Sequence, residues 1–279
     1  MASKIPPLLE PYLALPPEAS LILLTNVLGA STNWLVLRFL HSTLATSSNS
    51  LEVHPEDETK VVFVSFLRDF AFWKDNARRL GLDLEKHAAK KSFAFVDGLS
   101  GLFLPKQQRP AVGPGETVLS SPSLTNVSEA ILKAIQDVRG SSGAKGNVLL
   151  VVDQLDLLLA VAGNQVGAVN LEEMLAGLRE EVHSAIITVS ADHPLVSALQ
   201  TPLETNHASF LVNIAHQADF IMGLRLLDSG TATDVSGVVR VTIGDQVAED
   251  DDFRRKIDER ELLYFVAGDG GVRVFERGQ

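Results

Sequence analysis

Apolar residues follow two rhythms along this chain. Short continuous runs such as Leu21-Ile22-Leu23-Leu24 have the length of strands covered on both faces. Between them, apolar positions recur every three or four residues, as on helices with one buried face. The first run, at residues 21–24, leads through small and polar residues into a helix pattern carried by Trp34, Leu35, Leu37, Phe39, Leu40 and Leu44. A second strand is predicted over 60–66. A helix follows over 69–80, with Asp69 as N-cap and Gly81 as stop, and with Phe70, Trp73, Ala77 and Leu80 turned to the sheet. A third strand covers 92–97 and ends at Gly98. Residues 105–122 read as a Pro/Gly/Ser-rich loop, 124–138 as a helix and 140–146 as a Gly/Ser break. The β-branched run at 147–153 belongs at the centre of a parallel sheet. A helix over 169–182, a fifth strand over 184–190, a polar stretch over 191–205 and a helix over 207–216 complete this part.

The grammar then changes. Strands at 219–227, 237–243, 262–266 and 271–276 follow with little helix between them, and Asp269-Gly270-Gly271 is a hairpin-turn signal. The acidic run at 249–252, followed by Arg254, Arg255 and Lys256, reads as a solvated insertion. At the front, residues 5–17 form a proline-punctuated arm with leucines between. Such an arm stays extended and lies on something apolar, either its own domain or a neighbouring subunit. The expected organisation is an arm over 1–17 and one domain over 18–279. The pattern alone supports a doubly wound α/β fold, with parallel strands first and antiparallel additions last.

Composition narrows the function. The 279 residues include no cysteine, which excludes disulfides, thiolate metal sites and thiol nucleophiles. The net charge of −11 has the wrong sign for a chain that binds nucleic acid unaided. Prolines at 6, 7, 11, 16 and 17 break any signal-peptide core behind Lys4, and the apolar region at 148–162 is interrupted by Asp153, Gln154 and Asp156. A cytoplasmic chain, also compatible with the nucleus, is the expectation.

The turn after the first strand stands where α/β nucleotide-binding folds hold phosphate. A working loop reads G-x-x-x-x-G-K-S/T, with a Lys on the outer phosphates. In one frame Gly29 is the last glycine, Ala30 takes the Lys position and Ser31 follows; in the other, Thr32 takes the Lys position. Neither supplies an amine, and the first cation after the strand is Arg38, inside the helix. The degenerate loop is Gly29, Ala30, Ser31 and Thr32. Asp153 closes its strand as a magnesium-holding acid does, and equally as a strand-end Asp that caps the next helix. The acid expected after the second strand is replaced by Phe66 and Leu67, and the nearest acid is Asp69. No G-x-S-x-G elbow, strand-linked G-x-G-x-x-G or H-E-x-x-H is present. No catalytic residue, metal or cofactor is expected. Two other readings stay open: an active ATPase with a divergent loop, and a small-molecule enzyme using Thr25, Asn26, Asp97 and Asp153 at the strand ends.

Together these residues resemble a family, the sixth subunit of Elongator, the complex that modifies the wobble uridine of tRNA. The carrying segments are Leu21-Ile22-Leu23-Leu24 with the Lys-free loop and Trp34-Leu35-Val36, the run Val-Leu-Leu-Val-Val-Asp-Gln-Leu-Asp-Leu-Leu-Leu at 148–159, and the hairpin over 261–275. The resemblance implies a RecA-like fold without ATPase motifs. It also implies assembly with Elongator subunits four and five into a hetero-hexameric ring that binds tRNA and docks on the catalytic part of the complex, the radical chemistry residing in another subunit. In such rings two loops point into the channel. Here they carry Asn164 and Gln165, then His193 and Thr201, with His207 just beyond, and neither loop contains Lys or Arg.

Overall fold

The computed structural model describes residues 4–49, 59–109, 111–140, 147–228, 230, 232–244 and 257–277. The expected insertion at 249–256 and all of the break at 140–146 except Gly140 lie outside them. The strands are β1 Leu21–Asn26, β2 Lys60–Ser65, β3 Phe93–Asp97, β4 Glu116–Val118, β5 Val148–Asp153, β6 Ser184–Ser190, β7 Phe220–Arg225, β8 Gly237–Ile243, β9 Arg260–Val266 and β10 Val272–Phe275. Among the described residues they form one sheet in the order β10-β9-β8-β7-β1-β6-β5-β2-β3-β4. From β4 to β7 every pairing is parallel, and β8, β9 and β10 continue antiparallel. The sheet is therefore mainly parallel with C-terminal antiparallel strands, as the pattern suggests.

The helices are α1 Asn33–Asn49, α2 Phe70–Arg79, α3 Leu84–Ala89, α4 Ser100–Phe103, α5 Leu124–Arg139, α6 Leu157–Val161, α7 Ala168–Glu180, α8 His193–Ser197 and α9 Pro202–Gln217. Alternation along each strand explains why its apolar run is unbroken. Ile22, Leu24, Phe63 and Val151 pack under α1, α2 and α3, with Leu35, Phe39, Trp73 and Leu84. Leu21, Leu23, Val62 and Leu150 face the other way, against Ile131, Leu171, Phe210 and Ile214 of α5, α7 and α9. Phe63 meets Trp73 edge-on at 4.7 Å, which locks α2 to the sheet. Asp69 caps α2 by accepting from the Phe72 N–H at 2.9 Å, and Gly81 follows the helix with φ +73°.

The arm lies on its own domain. Leu9 and Leu13 of the turn around Pro7–Tyr12 are buried, and the Tyr12 hydroxyl donates to the Asp258 carbonyl at 2.8 Å.

Two segments depart from the sequence pattern. The loop over 105–122 contains β4, a short parallel edge strand tied to β3 by Phe95 N–H to Gly115 O and Leu119 N–H to Asp97 O. The polar stretch over 191–205 contains α8 and the start of α9, which begins at Pro202 rather than near 207. There Thr201 and Glu204 form a reciprocal capping box, with Pro202 at the first helical position.

Candidate functional site

The order of the sheet brings the C-terminal ends of β1, β6, β5 and β2 side by side, where open α/β sheets bind ligands. The first piece is the turn between β1 and α1. A phosphate seat needs several N–H groups aimed outward at one anion. Here Ala30 N–H closes a tight turn on Val27 O at 2.9 Å, and Gly29 takes φ +91°. Leu28 N–H donates to Asp192 Oδ1 at 2.8 Å, and Asn33 N–H to Ser31 Oγ at 3.2 Å. The Thr32 carbonyl accepts from Leu35 and Val36 to start α1. Three of the N–H groups a phosphate would need thus end on internal acceptors, one of them a carboxylate. The side chain of Leu28 stands 86% exposed at the tip of the turn, and Leu226 packs over Gly29.

The second piece is Asp153, fully buried. It accepts from Ser65 Oγ at 2.8 Å and Thr188 Oγ1 at 3.0 Å. Burial pushes its carboxyl up to about 6, against the pull of those two hydrogen bonds. Gln154, at φ 57°, turns its side chain back over the strand ends. Its Nε2 donates to Asn26 Oδ1 at 2.8 Å, and its Oε1 accepts from Ser190 Oγ at 2.7 Å. Asp156 is also buried and raised to about 6, chiefly by burial, with His207 opposing. The amide and hydroxyl network thus fills the space beside Asp153 from within the chain.

The expected acid after β2 is absent in fact as well as in pattern. Phe66 is buried, and Asp69 is spent on capping α2. Among the described residues no three His, Asp or Glu side chains come together as a metal site. A nucleotide with its magnesium, which a RecA-like fold would imply, does not fit these residues: the loop lacks an amine, the N–H groups of Leu28, Ala30 and Asn33 are used, and Asp153 is sealed. The small-molecule grouping does not form either. Asn26 and Asp153 share the Gln154 network, whereas Thr25 faces Gly223 of β7, and Asp97 accepts from Leu99 and Ser100 in its own turn. Ser65, Thr188, Ser190 and Asp192 were not singled out in the sequence, although a Thr inside the apolar run of β6 is a visible irregularity.

The channel-loop candidates divide. Gln165 is exposed in the turn Gly163–Gln165, and His193 is exposed at the start of α8; the side chain of Asn164 lies outside the described set. Thr201 is exposed, but its hydroxyl accepts from Glu204 N–H in the cap of α9. His207 is corrected: it is 2% exposed, its Nε2 lies 2.7 Å from Ser190 O and its Nδ1 3.8 Å from Asp156, so it belongs to the interior. The signal was available, because His207, Phe210, Leu211 and Ile214 share one face of α9.

The fold and the chain have relatives. A KaiC-like protein from the hyperthermophilic archaeon Pyrococcus horikoshii OT3 superposes with a TM-score of 0.58 over 99% of this chain and 98% of that one, at 16% identity. That likeness, with the strand order, establishes the RecA-like fold. The Elongator complex protein 6 homolog of Schizosaccharomyces pombe is 25% identical over 223 residues, covering 78% of this chain and 79% of the relative. The profile of the family described as Elongation complex protein 6 matches residues 35–261, most of the domain and the strand-end acid Asp153, beginning just after the degenerate turn. A RecA-like sheet whose phosphate turn and strand-end acid are closed from within therefore belongs, in this chain, to the Elongation complex protein 6 family, an Elongator subunit.

Proposed function

We propose that this chain is a non-catalytic subunit of Elongator that joins subunits four and five in a hetero-hexameric ring, and that the ring binds tRNA for wobble-uridine modification. The observation that carries the reading is the sealed strand-end site: Leu28 N–H on Asp192 and Asp153 on Ser65 and Thr188. A subunit with that interior contributes shape and surface rather than phosphoryl transfer. RecA-like domains meet head to tail, and a closing rotation makes a ring rather than a filament. For a subunit of a complex acting on tRNA we propose the cytoplasm, with the nucleus as a second compartment.

The loops after β5 and β6 supply hydrogen-bonding groups without cations, so partner subunits carry most of the positive charge. Co-expression with subunits four and five should give one species of two copies each by native mass measurement; a chain that stays apart from both contradicts the reading. In the assembled ring, replacing Asn164, Gln165 and His193 together with Ala should weaken tRNA binding by about 1 kcal/mol, with little change in the salt slope. No change in affinity would place the RNA elsewhere on the ring, and a much shallower slope would contradict the charge assignment.

A further inference from the structure

A cavity of about 370 Å³ opens beside the turn after β1, between α1, α2 and the β9–β10 hairpin, with Gly29 and Ser31 of that turn in its lining; its size is within the range of small-ligand sites. Its walls include Trp34, Leu37, Arg38, Phe72, Asn76 and Tyr264. Trp34 and Tyr264 lie with ring centroids 4.9 Å apart. Three aromatic rings therefore offer flat apolar surface in one small space.

Arg38 is the unusual member of this wall. It is 3% exposed, and its Nη2 donates to Gly270 O at 2.9 Å and its Nη1 to Trp34 O at 3.3 Å. Its Nε has no hydrogen-bond partner among the described residues, and no carboxylate among them pairs with it. Burial lowers the guanidinium to about 10. The charged neighbours, Lys4 and Arg79, have the same sign, and the nearest histidine is left neutral. His41, one turn further along α1, is held below its ordinary value by burial and by Lys4 and Arg38, and Arg79 packs beside Gly270. Buried charges are ordinarily paired, because an unpaired one is costly to remove from water. A guanidinium held, among the described residues, only by carbonyls, in the wall of an aromatic cavity, is poised for an anion.

We propose that this cavity binds a small organic anion built on a flat ring, with the ring among Trp34, Phe72 and Tyr264 and its carboxylate or phosphate directed to Arg38. Asn76, whose Nδ2 donates to Phe72 O at 2.8 Å, keeps its carbonyl oxygen for a donor on the ligand. A nucleoside triphosphate is not the class, since the part of the turn that reaches the cavity, Gly29 and Ser31, brings no amine to its phosphates. The site stands whether or not the ring reading holds, because it uses only residues of this chain.

The test is titration of the full chain, followed by ligand-observed NMR and calorimetry, with indole-3-acetate, phenyl phosphate and the neutral indole-3-acetamide. At least one anion should bind with a dissociation constant below a millimolar, and the amide should bind about tenfold more weakly than its acid. The arm that binds tells carboxylate from phosphate. Arg38→Met, which keeps the apolar stem, should abolish the preference for charge. Asn76→Leu, which fills the cavity from a partly exposed helix position, should abolish binding with the melting temperature retained, and it keeps the test decisive where Arg38→Met fails to fold. Binding of acid and amide with equal affinity, binding that survives Asn76→Leu, or no binding of either anion would overturn the proposal and leave Arg38 as a clamp on the hairpin turn.

Discussion

The main-chain N–H of Leu28 donates to the carboxylate of Asp192 at 2.8 Å, so the turn after β1 already holds an anion of the chain's own making. The two residues come from different parts of the sequence, one from the phosphate-type turn and one from the loop after β6. Asp192→Ala should lower stability in urea by about 1 kcal/mol, the net worth of one such bond. It should not create affinity for ATP, since no amine is added beside the freed N–H. Appearance of ATP binding in this variant would show that the carboxylate alone had blocked a working site.

Asp153 gives a pH signature. Its carboxyl is raised to about 6, first by burial, while the hydrogen bonds from Ser65 and Thr188 and the distant charge of Arg68 oppose the shift and Asp156 adds to it. For a carboxyl raised in the folded state, the folded chain binds the extra proton. The stability this contributes is complete below the unfolded value near 4 and is lost as pH rises through about 6. Asp153→Asn keeps the shape and removes that loss. Its stability relative to the unaltered chain should therefore climb between pH 4 and 7, by an amount on the order of 3 kcal/mol at most. Asp156, raised to about 6 beside His207, stays in the variant and leaves a slope of its own. A variant that grows less stable, relative to the unaltered chain, as pH rises would contradict the assignment.

The two histidines of the region should behave oppositely. His207→Ala leaves the buried Ser190 carbonyl without its partner and removes the imidazole beside Asp156, and should cost about 1–3 kcal/mol of stability. His193→Ala, at an exposed helix start, should change stability by less than about 0.5 kcal/mol. Thermal melts of the two single variants decide it; equal effects would mean that His207 is not locked in place.

The arm is a third case. Leu13→Ala removes a buried side chain packed in the same core as β1 and β7, and should destabilise the isolated chain by about 2–5 kcal/mol. A deletion of residues 1–17 that weakens ring assembly therefore has to be compared with its effect on the free chain. Unchanged stability of Leu13→Ala in the free chain, with loss of assembly, would mean that the arm serves a neighbour instead.

The strands with continuous apolar runs were legible because burial on both faces leaves no polar position. β6 spans Ser184–Ser190 as the pattern reads it, and β5 differs by one residue. β4 was not legible: a three-residue edge strand, Glu116–Val118, buries too little to impose a pattern and is specified by its pairing with β3. The start of α9 was legible but missed. Thr201, Pro202 and Glu204 spell a cap, and the polar composition around them hid it. At the site, the missing amine could be read from the sequence, whereas the closure could not. Closure depends on Asp192 and Gln154 reaching across strand ends, and on a positive φ at Gln154 that no residue type announces.

The strand-end site, closed from within, should be shut to nucleotide. Calorimetric titration of the isolated chain with Mg-ATP measures this most directly. Heats no larger than dilution, unchanged in Asp153→Ala, are expected. Saturable micromolar binding that disappears in Asp153→Ala would contradict this closure, and would make this chain a nucleotide-binding subunit.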